Sequence, residues 1–286
     1  MEKKLILRGL AVGALAGLLA FAFGRIFAEP QIQAAIDYES GRDTAQAVLD
    51  QAAGLPTEPT GPDLFSRTIQ ANIGIGLGMI LFGVAMGALF AVGYAFCLGR
   101  VGNLSPRALS VVVAAAGFLG LYLLPFVKYP ANPPSIGHPG TITDRGGLYL
   151  LMVGCSVLFL VLSVWLGQRL RQRWGNWNAG LLAAAAFVIA IGIVMVLLPS
   201  LGHLTINEQQ FGNHPTETPL PLTDTHGAIV YPGFPADVLF DFRLYSLAAQ
   251  LILWATIGLA FAPLAHRLLS PHLDSTAGEA RSPATR

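Results

Sequence analysis

Residues 147–198 read GLYLLMVGCSVLFLVLSVWLG (147–167), QRLRQRWGNWN (168–178) and AGLLAAAAFVIAIGIVMVLL (179–198). Neither flank holds an Asp, Glu, Lys or Arg, and each is as long as the roughly 20 apolar residues a helix needs to cross a bilayer. The piece between them carries Arg169, Arg171 and Arg173. Basic residues stay on the inner side of a membrane, so the stretch reads as a helical hairpin whose basic turn faces inward. Its continuous apolarity excludes barrel strands, which alternate over about 10 residues.

Working outward, apolar runs of the same kind lie near 5–27, 73–98, 108–127 and 244–265. The expectation is an all-α integral membrane protein of about six transmembrane helices. Residues 1–270 would form one polytopic domain and 271–286 a disordered cytoplasmic tail. The composition agrees: 53% of residues are hydrophobic and 12% charged, with a mean hydropathy of +0.59. A soluble domain carries about 25% charged residues, and half that density cannot coat a soluble surface. The net charge of +1 offers no basic field for nucleic acid. Two cysteines give neither a disulfide framework nor a CxxC pair. Arg25 sits where a secretory signal would need small neutral residues, so the first run is expected to stay as an uncleaved helix.

With the N-terminus inside, 11 of the 17 Lys and Arg residues fall on the inner side, and both termini are cytoplasmic. The long loops then lie outside and hold 13 of the 16 acidic residues, with His138, His203, His214 and His226. Carboxylate and imidazole are ligands that borderline divalent metals accept. Acidic loops also serve solubility alone. Past residue 28 the first helix is expected to extend or bend into an interfacial helix reaching about Ala53, before GLPTEPTGP (54–62) breaks regular structure.

Signatures of catalysis are missing from the sequence: no GxxxxGK[ST], no HExxH, no GxSxG. A non-enzymatic protein without a resident cofactor is expected. Four constellations remain at the outer helix ends. The first holds Arg25, Glu29, Pro30, Ile32, Ile36 and Glu39, with Arg25 and Glu29 one turn apart and able to pair. The second is LPFVKYPANPPSIGH (124–138), in which prolines rigidify the backbone and withhold N–H donors. Lys128, Tyr129, Asn132 and His138 lie in it. The third holds His203, Asn207 and Glu208, potential ligands without the spacing of a closed zinc site. The fourth is GFPADVLFDFR (233–243), where Asp237 and Asp241 share one helix face ahead of Arg243; Asp in a first turn is also an ordinary helix start.

Several stretches resemble the CbtA family of predicted cobalt transporter subunits. They are the run from Arg8-Gly9-Leu10 to FAEPQI (27–32) with Ala35 and Ile36, then KYPANPP (128–134) with Gly137, then FPAD (234–237) with FRL (242–244). The resemblance spans roughly residues 5–265, and KYPANPP is its most specific part. It implies cobalt uptake across a cell (inner) membrane, often beside a small one-helix, histidine-bearing CbtB-like partner. Residues 201–231 depart from the family in length and histidine content, which leaves His214 and His226 outside the proposed ligand set.

The combined reading is a carrier subunit that admits Co2+ from outside. Glu29, His138, His203, Glu208, Asp237 and Asp241 would meet the metal, with Lys128 and Arg243 as partners of carboxylates. ATP is not required: a dication moving inward gains about 4.6 kcal/mol per 100 mV. The spans lack a mid-membrane ionisable group of the kind a proton-coupled carrier uses. A path would draw on Asn72, Ser156, Ser163, tyrosines, backbone carbonyls or a partner. The rival is a non-transporting scaffold or metal-receptor subunit whose partner conducts.

Overall fold

The computed structural model describes residues 2–56, 65–214 and 216–279. Most of them are helical. Helix α1 is Glu2–Phe27, α2 Glu29–Ala52, α3 Arg67–Cys97, α4 Pro106–Lys128, α5 Ile142–Leu197, α6 Thr205–Phe211 and α7 Ala236–Glu279. A two-stranded antiparallel ribbon of β1 (Leu222–Thr223) and β2 (Ile229–Tyr231) interrupts the otherwise helical chain. Nothing in the proline-rich loop sequence pointed to it.

Among the described residues five helices are long and apolar enough to cross a membrane: α1, α3, α4, α5 with the short turns at its ends (Pro139–His203), and α7 as far as Leu269. The sequence led to six such segments. The difference lies within α5, which contains both 147–167 and 179–198. At Gly175 the backbone takes φ 74° and ψ 168°, a conformation open to glycine because it lacks a Cβ. There α5 doubles back. The Ser163 hydroxyl donates to the Ala183 carbonyl at 2.7 Å, and buried Met152 packs with Ile191. The fold-back expected at the arginine-rich turn is therefore present inside one continuous element.

The chain divides into two packed units. The first comprises residues 1–22, 73–119 and 249–286. In it α1 and α3 run antiparallel at backbone contact. A Cβ on Gly13 would strike the Gly83 carbonyl, and Gly9 and Gly17 meet Gly87 and Met79 in the same way. Small residues at four-residue spacing let backbones approach like this. Phe90, Tyr94 and Phe261 fill the adjoining core, and the Ser110 hydroxyl donates to the Gly258 carbonyl at 2.7 Å.

The second unit comprises residues 23–72 and 120–248. Helix α2 follows α1 almost without a break, because Ala28 keeps helical angles (φ −83°, ψ −31°) and Pro30 sits in the first turn of α2. It ends at Ala52, close to the expected limit; residues 57–64, which include most of the breaker segment with Glu58 and, beyond it, Asp63, lie outside the described residues. On α2 a small core forms from Ala35 and Tyr38 with Ile136, Tyr231 and Phe234. The Tyr38 hydroxyl donates to the Pro232 carbonyl at 2.9 Å and Arg42 to the Leu220 carbonyl at 2.7 Å. These bonds lay the ribbon's loop on α2. Burial raises the Tyr38 phenol above its ordinary pKa, with the Arg42 guanidinium pulling the other way.

Helix α4 ends with a π-helical stretch, Phe118–Leu123, then Leu124–Lys128. Pro125 accounts for the widening: it has no N–H, and its ring crowds the carbonyl one turn back. At the far end, α7 continues to Glu279, past the point at which the tail was expected to begin. Residues 280–286 of that tail lie outside the described residues.

Candidate functional site

Beyond Lys128 the prolines end α4, and residues 129–138 cross the second unit as an extended strap. Tyr129 anchors one end. Its ring is buried against Met152 and Ile191, and its hydroxyl donates to the Pro199 carbonyl at 2.8 Å. Burial raises this phenol's pKa. Arg243 of α7 holds the middle of the strap, its Nε bonding the Ala131 carbonyl at 3.1 Å and its Nη2 the Asn132 Oδ1 at 2.8 Å. Pro133 and Ile136 are buried. The far end closes in a 3-10 turn, Pro139–Thr141, capped by His138 Nδ1 accepting from the Gly140 amide at 2.9 Å.

The strap frames a cavity of about 560 Å³, lined by all of residues 129–137 with Arg145 and Tyr149 of α5, Glu39 of α2 and Leu201. Prolines contribute carbonyls without donors; of the strap carbonyls, Ala131's is taken by Arg243 and Pro133's by the Ile136 amide. Beside it stands a buried polar knot. The Glu217 side chain is fully buried and lies 3.3 Å from the Arg145 guanidinium. Its Oε1 accepts from Asn207 Nδ2 at 2.7 Å and lies 2.6 Å from the Thr141 hydroxyl. Asn207 Nδ2 also donates to the Leu201 carbonyl at 2.8 Å. An acid beside the first turn of α5 meets the positive end of that helix.

The other expected site residues are dispersed. Glu29 is buried and pairs with Arg67, not with Arg25. Arg25 instead donates from Nε to Asn72 Oδ1 at 2.9 Å. An arginine 38 residues away in sequence takes the place that one-turn spacing suggested for Arg25. These groups line a second cavity, of about 350 Å³. His203 Nδ1 lies 3.1 Å from Glu208 Oε1, with both side chains close to half exposed. Asp237 is exposed and Asp241 half-buried in the first two turns of α7. Among the described residues no three His, Cys, Asp or Glu side chains come together as metal ligands. Lys128 rests on the Tyr129 ring, 5.7 Å from its centroid, and Arg243 serves carbonyl and amide oxygens; among the described residues neither has the carboxylate partner expected of it. Ser156 and Ser163 spend their hydroxyls on the Met152 and Ala183 carbonyls.

Sequence reasoning missed Thr141, Arg145 and Glu217 as site residues, and it grouped Glu39 with Arg25 and Glu29 without counting it among the metal contacts. Glu217 lies in a proline-rich loop with no periodicity to mark it as buried. Glu39 is one of several acids on a largely polar helix.

Apolar helices of membrane-crossing length, joined to a rigid proline strap over a cavity, define a polytopic helical membrane protein. The family profile described as probable cobalt transporter subunit (CbtA) matches residues 2–266, and the chain belongs to that family. No curated protein and no solved structure matches it.

Proposed function

We propose that this chain is the membrane-embedded subunit of an uptake system for a divalent transition metal, with Co2+ as the cargo. The carrying observation is the cavity beneath the strap, walled by the stretch most specific to the family. In this reading the chain crosses the inner membrane six times, α5 supplying two passes, with both termini in the cytoplasm. The cavity then opens to the outer side, where most of the acidic residues lie. Glu29, His138, His203, Glu208, Asp237 and Asp241 act as separate stations that raise the local concentration of dications, since they do not assemble into one chelate. Glu29 would have to exchange Arg67 for metal to bind it directly. Lys128, Tyr129, Asn132 and Arg243 keep the strap in shape, and Arg25 and Asn72 fix the start of α3.

One observation favours a second reading. The apolar spans offer no ionisable relay, and the Ser156 and Ser163 hydroxyls are already engaged. In that reading this chain receives the metal or scaffolds the system, and a partner such as a one-helix histidine-bearing subunit conducts it.

Purified chain in liposomes, with an inside-negative potential and an internal Co2+ dye, separates the two. Uptake by the chain alone, abolished when the potential is collapsed, supports the carrier. Uptake that requires a second subunit assigns conduction to the partner.

A further inference from the structure

Glu39 is the single carboxylate lining the strap cavity, and its side chain makes no hydrogen bond or ion pair among the described residues. Every other charged group at this place is engaged. Arg145 is held by the buried Glu217 carboxylate. Arg243 is not a lining residue and is turned toward Ala131 and Asn132. The remaining wall is proline, alanine, glycine, isoleucine, leucine, tyrosine, one serine and the Asn132 amide. Such a wall cannot strip a transition-metal ion, which needs several imidazole, thiolate or carboxylate ligands to replace its water.

Size points the same way. An octahedral aqua ion carries about six waters at about 30 Å³ each, or about 180 Å³. The cavity holds about 560 Å³, far more than a bare ion would fill. Metal-bound water points its hydrogens outward, toward an acceptor such as the Glu39 carboxylate, and water-mediated contacts are nearly as favourable as direct ones. We propose that the cavity takes its dication as the intact hydrated ion, held outer-sphere by Glu39. The inference rests on the uptake reading above and specifies the form of its cargo. With Arg145 and Glu217 cancelling, one carboxylate opposes the ion, which gives the modest hold that permits release.

The test is equilibrium dialysis of radiolabelled Co2+ against the full-length chain in detergent. Hexaamminecobalt(III), whose ammonia ligands do not exchange, serves as the competitor. Displacement of Co2+ by this complex is expected, and Glu39→Gln should weaken binding of both ions about tenfold, the interaction of a dication with one carboxylate across a water layer. Glu39→Asp should restore most of it, and an unchanged melting temperature shows that the Gln variant is folded. Failure of the inert complex to compete, or parental affinity in Glu39→Gln, overturns the proposal. A chain that binds both ions as stated but moves no Co2+ into vesicles keeps this site and removes the carrier reading. A chain that transports Co2+ while indifferent to both the complex and Glu39→Gln keeps transport and removes this site.

Discussion

Arg243 is the strap's central fastening, so its replacement tests how the cavity wall is held. Arg243→Gln keeps a polar side chain but loses the charged fork that bonds the Ala131 carbonyl at 3.1 Å and the Asn132 amide oxygen at 2.8 Å. Hydrogen bonds to a charged group contribute about 1.5–3 kcal/mol each when well buried. Arg243 is half-buried, so the pair together is set at about 2–3 kcal/mol, near the lower end. The loss falls on the strap alone, because Tyr129 and the 3-10 turn anchor its ends independently. Local opening should then become roughly 30- to 100-fold more frequent, at a decade per 1.4 kcal/mol. Amide hydrogen exchange, read by mass spectrometry on a peptide covering residues 129–141, reports this through the Ile136 and Thr141 amides, which bond Pro133 and His138 carbonyls. Peptides from the α5 hairpin serve as the internal control. Combined with Asn132→Ala, the variant should show less than the sum of the two single effects, since the substitutions remove one shared bond. Exchange across the strap that matches the parent would refute the fastening, and Arg243 would then be an interfacial charge without structural duty.

Three further outcomes are expected. In intact cells an impermeant thiol reagent should label Ala53→Cys and Thr218→Cys and miss Gln172→Cys; labelling at 172 would invert the proposed orientation. Gly13→Ala should cost about 1–3 kcal/mol and lower the melting temperature, because its Cβ meets the Gly83 backbone, which no rotamer change can relieve; a neutral Ala would mean that α1 and α3 are further apart than described. Glu217→Gln strips a fully buried charge from Arg145 while keeping its shape, and should destabilise by about 3 kcal/mol, with Arg145→Met in the same chain recovering part of the loss; a melting curve identical to the parent's would place the pair among uncoupled charges.

The sequence by itself determined the class of the protein and much of its framework. Transfer of apolar side chains from water depends on composition over about 20 residues, so helix positions and the arginine-bearing turn were legible. So was the strap, because proline acts on the backbone locally. Tertiary structure alone decided the pairings. Glu29 chose Arg67 over the neighbouring Arg25, and Arg243 chose the strap's oxygens over a carboxylate. Glu217, unremarkable in its loop, became the buried partner of Arg145. Electrostatic partnership is a property of distance in space and of the water excluded around it. Loop residues carry no periodicity from which that distance could be read. The expected ligands were chosen by residue type, which sequence displays. Their convergence was decided by where the loops fold back on α2 and α5, and there the cavity met Glu39 and the proline wall instead.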